Sequence, residues 1–304
     1  RESPHRETFV RGLFFCATAA ALFGCLDFVY QLPAPAGRAV QSVYLTSGVY
    51  QRAQGLFYEA STLGNFCCFF LVMCVVAITQ RRTYRLLPTW ILAAGGLVFG
   101  AALLLSFSRA SMLSFLIACL LLALLEKGPR AILVLIALAA VAAVLFAVLL
   151  PEFAQTYWVR LGFGLDSIVD NPDLYLSGRF RNWTAIGDFI AANPWKMLLG
   201  IGYKTIPYSE QFGNSVVADN MYLSLLVETG LLGLAALLAL NIAIIKAGWQ
   251  AARRGSFYGK WILCFWIGES IQMLSGDILT YWRVLPLYFW VAAQAARDHE
   301  NPAA

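Results

Sequence analysis

Long apolar runs recur through this chain, and each one demands a hydrocarbon environment. A helix needs about 20 such residues to cross roughly 30 Å of lipid tails. Runs near that length occur at about 10–30, 61–79, 86–107, 111–126, 130–150, 221–245, 258–276 and 279–295. The expected fold is therefore all-α, a polytopic membrane bundle of about eight transmembrane helices. Composition agrees: 60% of residues are hydrophobic, 13% are charged and the mean hydropathy is +0.68, against about 25% charged for a soluble domain.

One stretch breaks the pattern. Residues 151–220 are rich in Pro, Gly, Asp and Asn, and a connection that long is usually functional or disordered. The expected organisation is about five N-terminal spans in 1–150, a large loop with short helices in 151–220, and about three C-terminal spans in 221–304. The third and fourth spans, separated only by "SFSRAS", read as a tight helical hairpin, as do the last two around "SGDILTYWR".

Basic residues in short connections resist translocation and so set orientation. Arg81, Arg82 and Arg85 fall in one connection, Lys127 and Arg130 in a second, and Lys246, Arg253, Arg254 and Lys260 in a third. These three alternate with connections carrying fewer basic residues. Both ends of the chain are then expected in the cytoplasm and the 151–220 loop in the periplasm. The opening "RESPHRETFVRG" reads as a cytoplasmic connection, with helices expected upstream of it, because no cleavage site follows its charges.

The seven cysteines fall inside apolar runs without ligand spacing and read as small hydrophobes. Neither a metal site nor a cofactor is expected. A net charge of +5 is accounted for by the connections, and no tract is basic enough for nucleic acid.

Chemistry must then come from polar residues gathered on the outer side: Arg52, Glu59, Arg109, Arg160, Asp166, Arg179, Arg181, Lys204, Asp219, Asn220, Asp277 and Arg283. A guanidinium suits a phosphate because it is planar, permanently charged and able to donate two parallel hydrogen bonds. Arg109, at the turn of a hairpin, either snorkels to lipid phosphate or joins loop arginines on an anionic ligand. Asp219 and Asn220, ahead of the sixth run, are also favoured helix caps. Glu269, Gln272 and Asp277 are expected to face the bundle interior and pair with arginines, and Glu228 and Gly230 to shape helix packing.

The ordered motifs "YQRAQGLFYEASTLGNF", "LLLSFSRASMLSFL", "SGRFRNW", "LLGIGYKT" and "ADNMYLSLLVETGLLGL" resemble the O-antigen ligase and Wzy-type polysaccharide polymerase superfamily of bacterial inner-membrane glycosyltransferases. The resemblance runs from about residue 48 to 240. It implies a periplasmic active face and transfer of a glycan from undecaprenyl diphosphate, without a metal, to a second lipid-linked glycan or the lipid A core of lipopolysaccharide. Arg179 and Arg109 would neutralise the departing diphosphate and Asp219 would deprotonate the acceptor. Arg181, Arg283, Arg52, Glu59, Asn220, Trp183 and Tyr222 would bind substrate. Ligases of the family commonly carry His where this chain has Asp219, which favours a polymerase. The only histidines, His5 and His299, lie in the expected cytoplasmic ends. Partners would be the lipid-linked donor, the glycan acceptor, membrane lipids and polysaccharide assembly proteins. A rival class is a small-anion or bicarbonate transporter, but no internal repeat of the kind transporters show is apparent. A non-catalytic assembly subunit is a third reading.

Overall fold

The computed structural model describes residues 4–33, 40–45, 47–81, 84–126, 151, 152, 154, 155, 178–208, 212 and 216–300. These residues form eight α-helices: α1 Pro4–Tyr30, α2 Ala60–Thr79, α3 Thr89–Leu105, α4 Arg109–Leu125, α5 Arg179–Ala192, α6 Met221–Arg253, α7 Phe257–Gln272 and α8 Leu285–Glu300. The expected span at 130–150 lies outside the described residues, as do Arg82, Lys127, Arg130, Arg160 and Asp166. By length and composition, three helices suffice to cross a membrane: His5–Tyr30, Ala60–Thr79 and Met221–Arg253; α3 and α4 are apolar but shorter. The chain is an integral membrane protein.

Several helix ends differ from the expected runs, and the last one has a clear local cause. The sequence places the last run from about 279, yet α8 starts at Leu285, because Asp277 caps a 3-10 turn at Ile278–Thr280 by accepting a hydrogen bond from Leu279 N–H at 3.0 Å. Between α1 and α2, Ser42–Leu45 (β1) pairs antiparallel with Gly48–Gln51 (β2), Val43 opposite Tyr50. This hairpin was not anticipated. Its β-branched and aromatic residues favour extended pairing, but four-residue strands leave little periodicity to read.

The chain divides into two compact units, one of residues 1–144, 244–269 and 283–304 and the other of 145–243 and 270–282. In the first, α2 is buried on almost every side, as expected of a helix apolar all round. Phe69 lies at its centre with ring centroids 4.5 Å from Trp261, 4.9 Å from Phe265 and 4.6 Å from Tyr288. Buried polar groups must be paired where no water reaches them. Here Tyr288 donates to Asn65 Oδ1 and Asn65 donates to Glu269 Oε2. Glu269 was expected to pair with an arginine, but an amide takes that place.

The second unit has its own small core of Ile186, Phe189, Met197, Ile206, Val216, Ala218 and Val227. Its framework depends on a break in α6 at Gly230 (φ 73°, ψ −167°), a conformation essentially confined to glycine. The break releases the carbonyls of Val227 and Glu228 from their helical partners. Ile201 N–H and Gly202 N–H donate to them, both at 2.9 Å. A Cβ at Gly230 would stand 2.4 Å from the Leu198 carbonyl oxygen, and one at Gly200 2.4 Å from the carbonyl group of Glu228. The motifs "LLGIGYKT" and "VETGLLG" are thus two sides of one backbone junction.

Candidate functional site

Helix α5 starts where Gly178 adopts a left-handed turn (φ 83°), so Arg179 occupies its first turn. Two side chains of the same turn fasten α5 to the strand of chain that precedes α6. Asn182 Nδ2 donates to the Val217 carbonyl at 2.9 Å, and Trp183 Nε1 donates to the Ala218 carbonyl at 2.6 Å. Those contacts bring Arg179 Nε to 3.4 Å from Asp219 Oδ2. The ion pair is only partly shielded, with the arginine side chain 28% and the carboxylate 48% exposed.

Asp219 sits in the left-handed region (φ 43°) and is not the helix cap. That role falls to Asn220, whose Oδ1 accepts from Leu223 N–H at 3.1 Å. Asn220 is buried. Asp219 is therefore directed outward just before the helix begins, while its neighbour closes the helix end. Tyr222 donates its hydroxyl to the Ser270 carbonyl at 2.7 Å, and Trp183 is half-buried with its indole N–H committed to Ala218. Arg181 is exposed. Because α5 turns by about 100° per residue, Arg179 and Arg181 leave the helix in different directions.

A second polar cluster in this unit was only partly foreseen. Lys204, in the left-handed region at φ 60°, donates to Asp277; the carboxylate was expected to find an arginine. Glu228 accepts hydrogen bonds from the backbone N–H groups of Lys204 and Ile206 and so fixes the 202–206 loop. Partial burial pulls the Lys204 pKa down, but the hydrogen bond and charge of Asp277, helped by Tyr203 and Glu228, outweigh it and leave it above the ordinary lysine value. The lysine's side of this contribution is fully present at neutral pH and is lost as pH rises through that elevated value. The signal in the sequence was a charged residue beside each of two glycine turns, "GYK" and "SGD".

The remaining candidates belong to the first unit. Arg52 Nε donates to the Ser106 carbonyl at 2.8 Å, and the Ala53 N–H to the Leu105 carbonyl at 3.1 Å. Arg52 thereby ties its segment to the turn between α3 and α4, which Phe107 enters with φ 51°. Arg109 is the exposed first residue of α4, behind the Ser108 cap, whose hydroxyl accepts from Ser111 N–H at 3.4 Å. Arg283 donates to the Leu56 carbonyl at 2.7 Å. Glu59 precedes α2 and accepts from the Ser61 hydroxyl at 2.9 Å. The structure thus brings Arg52 and Arg283 to one short segment, residues 52–56, and Arg52 to the turn that carries Arg109.

Among the described residues no cluster of His, Cys, Asp and Glu has the make-up of a metal site. What the second unit offers is an exposed carboxylate and a guanidinium in contact beside a helix start, chemistry suited to exchanging one anion for another while a proton moves.

No curated protein matches the chain. Residues 94–238 match the family model described as O-antigen ligase, a stretch holding Arg109, Arg179, Arg181, Trp183, Asp219, Asn220 and Tyr222 but not Arg52, Glu59 or Arg283. That match, over the motifs on both sides of the Gly230 junction, supports the placement of the chain in the O-antigen ligase and Wzy-type polymerase superfamily.

Proposed function

We propose that the chain transfers an oligosaccharide from undecaprenyl diphosphate to a glycan acceptor at the periplasmic membrane face, acting as a polysaccharide polymerase. The family supports glycan transfer of the ligase or polymerase kind. The observation that carries the finer reading is the contact of Arg179 with Asp219 at 3.4 Å, with both groups accessible.

The acceptor hydroxyl oxygen attacks the anomeric carbon of the donor as the bond from that carbon to the diphosphate breaks. The electron pair leaves with the diphosphate and the hydroxyl proton passes to Asp219. Diphosphate is a good leaving group, so the main requirement is fixed positive charge where negative charge grows. Arg179 supplies it. A guanidinium offers five N–H donors, and phosphate oxygens compete with the Asp219 carboxylate for them. Donor binding therefore draws Arg179 off Asp219 and leaves the carboxylate free to act as base. Arg181, exposed on the same helix as Arg179, is a candidate for a further phosphate contact. Asn220 and Trp183 serve by positioning Asp219 and Arg179.

A second reading, transfer to a lipid A core, draws support from the description of the matched family, which names a ligase. Asp219 in place of the histidine common in ligases favours the polymerase. The full chain in lipid nanodiscs, given an undecaprenyl diphosphate oligosaccharide, should lengthen it. Product only when lipid A core is added would establish a ligase. Solute flux in proteoliposomes without glycan transfer would overturn both.

A further inference from the structure

The turn Pro194–Leu198, in the second unit, divides its side chains sharply. Met197 enters the small core beside Phe189 and Ile186. Trp195, Leu198 and the following Leu199 are 70%, 60% and 76% exposed. Three large apolar side chains within five residues form the kind of surface that monomeric water-facing loops avoid.

This turn is held in place at both ends. Lys196 N–H donates to the Asn193 carbonyl at 3.0 Å, and Gly200 N–H to the Lys196 carbonyl at 2.7 Å. The Leu198 carbonyl abuts Gly230 so closely that a Cβ there would overlap it. Immediately after Gly230 come Leu231 and Leu232, 51% and 67% exposed, where the apolar run of α6 passes from mostly buried to mostly exposed positions. The exposed side chains of the turn therefore lie at the level where the lipid-facing surface of α6 begins. Lys196 Nζ sits 5.7 Å from the Trp195 ring centroid and 5.4 Å from that of Phe189.

We propose that residues 194–199 are an in-plane membrane anchor. Trp195, Leu198 and Leu199 enter the boundary between headgroups and acyl chains, and Lys196 stands at the level of the phospholipid phosphates. Two observations select a bilayer over a protein as the occupant. The apolar surface is continuous with that of a helix long enough to span, and a tryptophan adjoining a lysine is the side-chain chemistry of the membrane interface. Because Met197 and Phe189 share the core that supports α5, the anchor also sets the depth of the Arg179–Asp219 pair, at the plane where a lipid-borne phosphate lies.

The test is Leu199→p-benzoylphenylalanine in the full chain, irradiated in phosphatidylethanolamine–phosphatidylglycerol nanodiscs and read by mass spectrometry of the adducts. Leu232→p-benzoylphenylalanine serves as the lipid-facing reference and Asp188→p-benzoylphenylalanine, on the exposed face of α5, as the water-facing one. Phospholipid adducts at 199 should match those at 232 in yield and exceed those at 188 several-fold. Adding Trp195→Ser and Leu198→Ser should reduce the yield at 199 several-fold without changing that at 232. Cross-links from 199 to a second copy of the chain, or an adduct yield no higher than at 188, would overturn the anchor. Neither readout depends on glycan transfer.

Discussion

The two units tie their loops in different ways. In the first, arginines act as fasteners: Arg52 donates to the Ser106 carbonyl and Arg283 to the Leu56 carbonyl. In the second, the equivalent task falls to the backbone, where the break at Gly230 frees two carbonyls for Ile201 and Gly202. The difference determines what is left for chemistry. A guanidinium spent on a backbone carbonyl belongs to the framework. One resting against an accessible carboxylate, as Arg179 rests against Asp219, can change partners when another anion arrives.

The sharpest way to break this comparison is Gly230→Ala. The new Cβ would have to adopt a glycine-only conformation and overlap the Leu198 carbonyl, costing on the order of 4 kcal/mol in strain and overpacking together. Hydrogen exchange should show lost protection at Ile201 and Gly202 with α2 unchanged. Full protection in the variant would mean that the junction is not what holds this loop.

The chemistry assigned to the second unit is sharpened next by Asp219→Asn. Loss of the base should lower transfer by roughly 10²- to 10⁴-fold with binding of the lipid-linked donor retained. An unchanged rate would leave Asp219 only an electrostatic partner of Arg179. Arg179→Lys, which keeps a charge but removes the planar fork, should lower transfer about 10²-fold, with thermal stability close to that of the parent. If stability fell as far as activity, Arg179 would belong with the fasteners and the distinction between the units would fail.

The legibility of these features in the sequence follows from how local each one is. Apolar runs announce α1, α2 and the long part of α6 because a helix apolar on every side needs no periodicity to be recognised, whether it meets protein, as α2 does, or is largely exposed, as α1 and α6 are. The junction at Gly230 was visible as a glycine and its motif, but a positive φ inside an apolar run leaves no compositional mark. Arg179 and Asp219 could both be nominated from residue type. Their contact could not, because it depends on Asn182 and Trp183 grasping the backbone at 217–218. For the same reason Asp277 was assigned an arginine and found Lys204, a partner brought near only after the Gly200 and Gly202 turns have formed. Arg179 and Arg181 could both be named from residue type, but that they leave α5 in different directions depends on where the helix begins.

Arg52→Gln tests the other side of the comparison. Its Nε hydrogen bond to Ser106 is charge-assisted and partly buried, so its loss should cost about 2 kcal/mol of stability. Transfer, measured per folded molecule, should fall much less than in Arg179→Lys. A loss of transfer as large as that of Arg179→Lys, with stability intact, would move Arg52 from the framework to the substrate.

The smallest effect is expected from Arg283→Gln. The hydrogen bond from Arg283 to the Leu56 carbonyl resembles that of Arg52 in kind, but Arg283 is exposed, and water replaces much of what the substitution removes. A solvent-screened contact of this sort contributes about 0.5 kcal/mol or less, so the thermal midpoint should barely move. Glycan transfer should also be nearly unchanged, because a fastener on the 52–56 segment is duplicated by Arg52 and by the Ala53 backbone hydrogen bond to Leu105. The pair of variants then forms a graded series at one segment, with burial as the variable. A large drop in donor affinity in Arg283→Gln alone would break the series and assign Arg283 a phosphate rather than a carbonyl.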